Sequence, residues 1–204
     1  SGGAYGGKTT MAKLIEAKHG ITRYREGDHI DDHISYANAA CQPAMCRFDR
    51  STFSDDDWNN FYNRPVEEYA QWLTDGTREE AEMAIIDLIK LSQHQRVVAD
   101  VMIPVDLLTK IADYHQVVLL YAPVQMKRAH YWDRDDKRCI LEHLMTMPDP
   151  EQTRENCLNA LTYKGEEEIA AFKHSGFLCI ERSETPNIEQ VLAIIEQHFG
   201  LGDA

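Results

Sequence analysis

The sequence lacks the features that mark secreted, membrane-spanning and nucleic-acid-binding proteins. It has no signal peptide and no long apolar run, and its five cysteines form no C-x-x-C pair. Positive charge is scarce, because 21 Lys and Arg residues stand against 34 Asp and Glu residues and give a net charge of −13. This balance argues against general affinity for nucleic acid or anionic membranes. We therefore expect a soluble, reduced, cytoplasmic protein with neither kind of partner.

Internal repeats and composition breaks are also absent. The 204 residues, 43% of them hydrophobic, are enough for one packed domain over 1–204 with a small inserted lobe. Cys41 and Cys46 have His29 and His33 nearby, but the usual zinc-site spacings are missing. We interpret these cysteines as ordinary buried or surface thiols.

What the sequence does have is a glycine-rich start, SGGAYGGKTT, which fits the phosphate-binding pattern G-x-x-x-x-G-K-[ST]. Glycines at such positions let backbone N–H groups surround phosphates. The side chain of Lys8 would reach the outer phosphates, and the hydroxyl of Thr9 would bind Mg²⁺. Met11–Lys18 predicts a helix whose N-terminus faces the anion. The residues predicted to bind ATP are Gly2, Gly3, Ala4, Tyr5, Gly6, Gly7, Lys8, Thr9 and Thr10.

A loop of this kind normally follows a buried strand. We therefore expect an upstream run of roughly 4 to 8 apolar residues before Ser1. The alternative is that the glycine-rich segment is simply a flexible chain end.

One aspartate follows a predicted strand and another lies near the end of a second strand, so both would lie near the loop. The strand Ile21–Arg25 leads to Asp28, which could orient or deprotonate an acceptor hydroxyl, with Asp31 or Asp32 as substitutes. The alternative for all three is a solvated turn and helix cap. Asp100 lies in the apolar strand Arg96–Pro104 and is suited to Mg²⁺, together with Thr9.

Two further segments carry arginines. Residues 35–64 predict a lobe that binds the acceptor, in which Arg47, Arg50 and Arg64 suit a phosphate or carboxylate. Residues 126–138 predict a lid, or alternatively a salt-bridged helix facing solvent.

Arg128 and Arg134 in this lid would stabilise charge on a transferred phosphoryl group. Between the two segments, Val66–Leu91 predicts a helix interrupted at Asp75–Thr77.

On these residues the chain resembles the P-loop nucleoside monophosphate kinase and shikimate kinase group of small-molecule kinases. Asp28 is similar to the acceptor-orienting aspartate of shikimate kinases, and Asp100 to the acid of the adenylate kinase D-G-x-P-R segment. Arg128 and Arg134 are similar to lid arginines, and Thr185-Pro186 resembles the adenine-side turn.

The resemblance implies an α/β P-loop NTPase fold. This fold is a three-layer parallel five-stranded sheet between helices, with a small helical acceptor lobe and a lid.

The implied activity is transfer of the γ-phosphate of ATP, with Mg²⁺, to a small metabolite that is a nucleoside, a nucleotide or shikimate-like. Lys8, Asp28, Arg128 and Arg134 would be catalytic, and Thr9 and Asp100 would hold the metal. A nucleotide-binding regulatory protein without kinase activity and a P-loop hydrolase are the alternatives.

Overall fold

A computed structural model describes residues 1–48 and 50–202, and helices make up most of this part of the chain. The helices are α1 (Lys8–His19), α2 (Ile30–Tyr36), α3 (Asp55–Asn63), α4 (Val66–Ser92), α5 (Val105–Ile111), α6 (Val124–His130), α7 (Arg138–Leu144), α8 (Pro150–Thr162), α9 (Gly165–His174) and α10 (Ile188–Phe199). The strands are β1 (Thr22–Arg25), β2 (Val97–Asp100), β3 (Val118–Tyr121) and β4 (Leu178–Glu181).

The prediction of one five-stranded parallel sheet is wrong. The strand β1 pairs in parallel with β2, and β3 pairs in parallel with β4, as two separate two-stranded sheets. Each strand has four residues, and within residues 1–48 and 50–202 no further strand joins β2 to β3. The predicted strands Ile21–Arg25 and Arg96–Pro104 contain β1 and β2, but a sheet needs neighbouring backbone edges to pair, and the edges of β2 and β3 do not pair.

The strand β3 is buried on both faces, as its continuous apolar sequence predicts. Leu119 and Tyr121 pack into the cluster that includes Ala81 of α4 and Phe172 of α9. Val118 and Leu120 belong to the cluster of α1 and α10 on the other face. Because successive side chains of a strand point to opposite faces, helices cover both sides of β3.

A third cluster, separate from the strands, joins α3, α7, α8 and the start of α4. It is rich in aromatic side chains, including Phe61, Tyr62, Tyr69 and Trp72. The predicted acceptor lobe of residues 35–64 contributes α3 to this helical region, and Asp49 within that lobe lies outside the described residues.

The helix α4 runs unbroken from Val66 to Ser92, so the predicted interruption at Asp75–Thr77 is wrong. A side chain at Gly76 would place its Cβ 3.0 Å from the ring of Phe48. The glycine therefore marks a close approach of an aromatic ring to the helix and not a break in it.

Candidate functional site

The glycine-rich loop lies against β3. The amino group of Ser1 donates to the Val118 carbonyl at 3.0 Å, and the Leu120 N–H donates to the Ser1 carbonyl at 3.0 Å. A Cβ added to Gly2 or Gly6 would lie 2.1 or 2.3 Å from the Leu120 carbonyl oxygen. These two positions therefore require glycine, because any side chain would force the loop away from the strand.

The loop ends at an uncapped helix N-terminus. Gly7, with φ of 98°, precedes Lys8, and no side chain in the described part of the chain caps α1. The first turn of α1 also contains no acidic residue. The first N–H groups of a helix lack intrahelical partners and carry positive partial charge, so this end of α1 favours an anion.

The side chain of Lys8 folds back over the loop. Its Nζ donates to the carbonyls of Gly2 and Gly3 at 2.8 and 2.9 Å. Burial lowers the pKa of Lys8, while the charges of Glu26 and Asp100 oppose this shift. The lysine thus lies between the loop backbone and nearby carboxylates.

Asp100 closes β2 and is 5% exposed. Its Oδ2 lies 3.9 Å from Nη1 of Arg23, and neither atom has a hydrogen-bond partner among the residues that the structure describes. A buried carboxylate oxygen without a partner is unfavourable unless a cation or a hydrogen-bond donor satisfies it. Asp100 therefore retains an unused ligand atom close to Lys8.

The turn after β1 places Glu26 nearer to this site than the predicted Asp28. Glu26 Oε2 accepts a hydrogen bond from the Met102 N–H at 2.8 Å, and its charge acts on Lys8. The exposed Asp28 instead pairs with Arg25 at 3.1 Å. Sequence reasoning missed Glu26, although its position directly after β1 was a usable signal.

The predicted lid consists of the end of α6 and two short turns, over Tyr131–Asp133 and Asp135–Lys137. Arg134 pairs with Asp136 at 2.8 Å and contributes its charge to the environment of Lys8. Arg128 points away from the loop, toward Glu155 of α8 and the hydroxyl of Thr162. The charge of Arg134 thus acts on Lys8, while the charge of Arg128 is paired with Glu155.

Two further charged residues join this group without having been predicted. Burial lowers the pKa of Lys127, the charge of Glu168 opposes the shift, and Arg134 adds to it. Glu168 also acts on Lys8. The loop and the lid therefore contribute three cationic side chains to this region, and the carboxylates that act on them are Glu26, Asp100, Glu168 and Asp136.

Arg182 and His130 contact Tyr5 in the middle of the loop. Arg182 donates from Nη1 to the Tyr5 carbonyl at 3.0 Å, and its guanidinium lies 4.1 Å from the Tyr5 ring centre. The Tyr5 ring stacks on His130 with centroids 5.6 Å apart. Beside it, a cavity of about 200 Å³ is lined by Thr10, Pro186 and neighbouring residues. The turn predicted to face a purine thus borders a cavity that reaches the loop.

Arginines and aromatic rings also meet in the helical region. The guanidinium of Arg64 lies 4.2 Å from the ring centres of both Phe61 and Tyr69. Its Nε and Nη2 are buried and have no hydrogen-bond partner in residues 1–48 and 50–202. Burial lowers the pKa of Arg64, electrostatic interactions with Tyr69 and Glu68 oppose this shift, and the charges of Arg47 and Arg50 add to it. This concentration of positive charge suits an anionic group.

The residues weighed for a metal site beside Cys41 and Cys46 do not converge on the cysteines. His33 instead contacts Glu80 and Asp87, each at 2.9 Å. No group of three or more His, Cys, Asp or Glu side chains in the described residues is arranged to hold a metal ion. Any metal at Asp100 would therefore need further ligands of another kind, such as a hydroxyl group, water or phosphate oxygens.

Comparison with known proteins gives no family for this chain. No family model matches the sequence, and a search of curated proteins finds no significant match. Together with the predominantly helical structure and its two separate strand pairs, these results overturn the resemblance to the nucleoside monophosphate kinase and shikimate kinase group. None of the described helices has the length and apolar character needed to cross a membrane.

Proposed function

We propose that the loop from Ser1 to Thr10 binds the phosphates of ATP and that the protein transfers the γ-phosphoryl group to a small acceptor. The observation that carries this proposal is the uncapped N-terminus of α1 beside Lys8, together with the buried Oδ2 of Asp100, which accepts no hydrogen bond from the described residues. Free N–H groups at a helix N-terminus and a cation bind the phosphates of a nucleotide, and a carboxylate binds its metal ion.

ATP and Mg²⁺ fit the residues present. The amides around Gly7 and the Nζ of Lys8 would hold phosphate oxygens, after Lys8 leaves the carbonyls of Gly2 and Gly3. The Thr9 hydroxyl and Asp100 Oδ2 would bind Mg²⁺, whose other ligands would be phosphate oxygens and water. When bound, the metal offsets negative charge on the phosphates.

The acceptor would carry a hydroxyl or phosphate and a second anionic group. Arg64, supported by Arg50, would bind that anion, because its buried Nε and Nη2 are unpaired. A carboxylate, either Glu26 or the predicted Asp28, would take the proton of an attacking hydroxyl.

In the transfer step the acceptor oxygen bonds to the γ-phosphorus as the bond to the bridging oxygen breaks and ADP departs. Lys8, Lys127 and Arg134 would stabilise the negative charge of the phosphoryl group during this exchange. Arg128 would share this role only after releasing Glu155.

A metabolite panel with purified protein, ATP and Mg²⁺ tests the proposal. The assay follows acceptor-dependent ADP release and the mass of the product, and it includes nucleosides, nucleotides and shikimate-like acids. Lys8→Ala should reduce turnover by at least about a hundredfold, because it removes a charge held in a partly desolvated site. Lys13→Ala is the matched control, because Lys13 is exposed on the same helix.

Unchanged turnover in Lys8→Ala would refute the assignment of the loop. ADP release that needs no acceptor would identify a hydrolase. Nucleotide binding without ADP release in any acceptor reaction would instead support a regulatory nucleotide-binding protein.

A further inference from the structure

The segment of residues 29–43, which contains α2, lies between two well-packed parts of the chain. Before it, Tyr24 of β1 is buried. After it, the buried Met45 donates its N–H to the carboxylate of Glu79 in α4 at 2.7 Å. All of residues 29–43 are described, and His33 is the only buried residue among them. The attachment of α2 to the rest of the molecule therefore depends mainly on one histidine.

Two carboxylates of α4 contact the two nitrogens of the His33 ring. Nδ1 lies 2.9 Å from Oε1 of Glu80, and Nε2 lies 2.9 Å from Oδ2 of Asp87. An ionised carboxylate can only accept hydrogen bonds, so both ring nitrogens must donate. With both carboxylates ionised, this geometry requires the protonated, positively charged form of His33.

The other titratable groups beside His33 do not replace this proton. The Tyr24 hydroxyl donates to the same oxygen of Asp87 at 3.1 Å, and the ring centre of His29 lies 6.3 Å from that of His33. Burial opposes a charge on His33, but hydrogen bonds with Asp87 and Glu80 outweigh it, and the pKa of His33 is raised. Loss of the proton would leave two carboxylates beside a ring that retains a single N–H.

We propose that residues 29–43 form a latch, which the proton on His33 holds closed against α4 and which opens as the pH rises. Without the proton, the ring can donate to only one of Glu80 and Asp87, and the latch has no second buried side chain to hold α2 in place. Opening releases a proton, so the open form gains as pH rises from 6.5, the ordinary pKa of histidine, to the raised pKa of the closed form. The gain is up to about tenfold per pH unit.

The latch begins directly after the turn Glu26–Asp28. This turn carries the two carboxylates proposed to take the proton of the acceptor, and the charge of Glu26 also acts on Glu80. Opening of the latch would widen access to the turn, so the pH would control acceptor binding. This consequence rests on the proposed function, whereas the latch itself does not.

Amide hydrogen exchange of α2 between pH 6 and 9 tests the latch, with α1 as the reference helix in the same chain. After correction for intrinsic exchange rates, the protection of α2 relative to α1 should fall at least about tenfold over this range. A constant ratio would overturn the proposal. The measurement needs neither nucleotide nor acceptor, so its result does not depend on whether the protein transfers phosphate.

Two variants separate the effect of the proton from the packing of the His33 side chain. Glu80→Gln supplies an amide that can donate to an unprotonated Nδ1 or accept from a protonated one, so α2 should stay as protected at pH 9 as at pH 6. His33→Gln cannot carry the charge and should reduce the protection at pH 6 to the value that the unmodified chain has at pH 9. His94→Gln, at an exposed position, is the matched control and should keep the original pH dependence.

Either of two results with these variants would overturn the proposal. One is a loss of α2 protection at pH 9 in Glu80→Gln that equals the loss in the unmodified chain. The other is full protection of α2 at pH 6 in His33→Gln, which would show that the latch closes without a charged ring.

Discussion

Acetylation of the Ser1 amino group should change how stability depends on pH. In the folded chain, burial lowers the pKa of this amine from 8.0 to about 5, and the neighbouring charge of Lys8 adds to the shift. The carboxylates of Asp100 and Glu26 oppose it. Between pH 5 and 8 the unfolded chain therefore binds a proton at this amine that the folded chain does not bind.

The sign of the effect follows from this difference. Because the unfolded state binds more protons, the free energy of unfolding rises with pH between 5 and 8. Lowering this pKa from 8.0 to about 5 corresponds to about 4 kcal/mol of unfolding free energy as an upper limit. The amine of Ser1 thus lowers stability most at pH 5 and has no effect above pH 8, and acetylation removes this dependence.

The assay compares urea unfolding of acetylated and unacetylated chains at half-unit steps from pH 5 to 9. All other titrating groups are common to both chains, so the difference in unfolding free energy isolates Ser1. That difference should be largest near pH 5 and constant above pH 8. Parallel curves over the whole range would show that the amine is well solvated and would refute the reasoning.

Three substitutions test other parts of the structure. Gly6→Ala should weaken nucleotide binding at least about tenfold, because its Cβ would lie 2.3 Å from the Leu120 carbonyl and displace the loop. Arg64→Met should raise KM for an anionic acceptor about tenfold with little loss of folding stability, because the guanidinium it removes is buried with unpaired nitrogens. In the folded chain the pKa of His33 is raised, because hydrogen bonds with Asp87 and Glu80 outweigh the opposing effect of burial. His33 therefore contributes free energy of unfolding that is fully present below pH 6.5 and is lost as pH rises through the folded pKa. His33→Gln should remove this contribution.

Each of these variants has a control in the same chain. Gly27→Ala places its Cβ no closer than 3.8 Å to another group, so nucleotide affinity should be kept, and equal losses in both glycine variants would contradict the steric argument. Arg138→Met removes a guanidinium from an exposed side chain and should leave KM unchanged. His94→Gln, at an exposed position, should keep the pH dependence of stability. Nucleotide titration, steady-state kinetics and urea unfolding at pH 6 and 9 are the respective measurements.

Local structure could be predicted from the sequence where short-range patterns decide it. The helix α1, its terminal Gly20 with φ of 63° and the buried strand β3 all follow from propensity, a glycine cap and a continuous apolar run. The sheet could not be predicted in the same way, because strand pairing joins residues far apart in sequence. The resemblance implied one sheet of five strands, whereas the four described strands form two separate pairs.

The difference between local sequence patterns and the path of the folded chain also explains which acidic residues of the candidate site could be predicted. Asp100 was identified because an acid in an apolar strand is unusual, and it is indeed buried beside Lys8. Glu26 and Asp28 lie in one short turn after β1, and both satisfy the rule that ligand-binding residues follow strands. The choice between them depends on the path of that turn, since the Met102 N–H holds Glu26 inward while Arg25 holds Asp28 in solvent.

The lid shows why neighbouring basic residues need a structure to separate them. Along a helix, successive side chains rotate by about 100° around the axis. Lys127 and Arg128 are adjacent in α6, so they point to different sides, Lys127 toward Glu168 and Arg128 toward Glu155. The position of Arg134 is not set by the helix, because α6 ends at His130. Arg134 lies in the turns that follow, and its charge acts on Lys8. A charge-rich segment thus predicts a cluster of cations, while the phase and end of its helix decide which of them act on the glycine-rich loop.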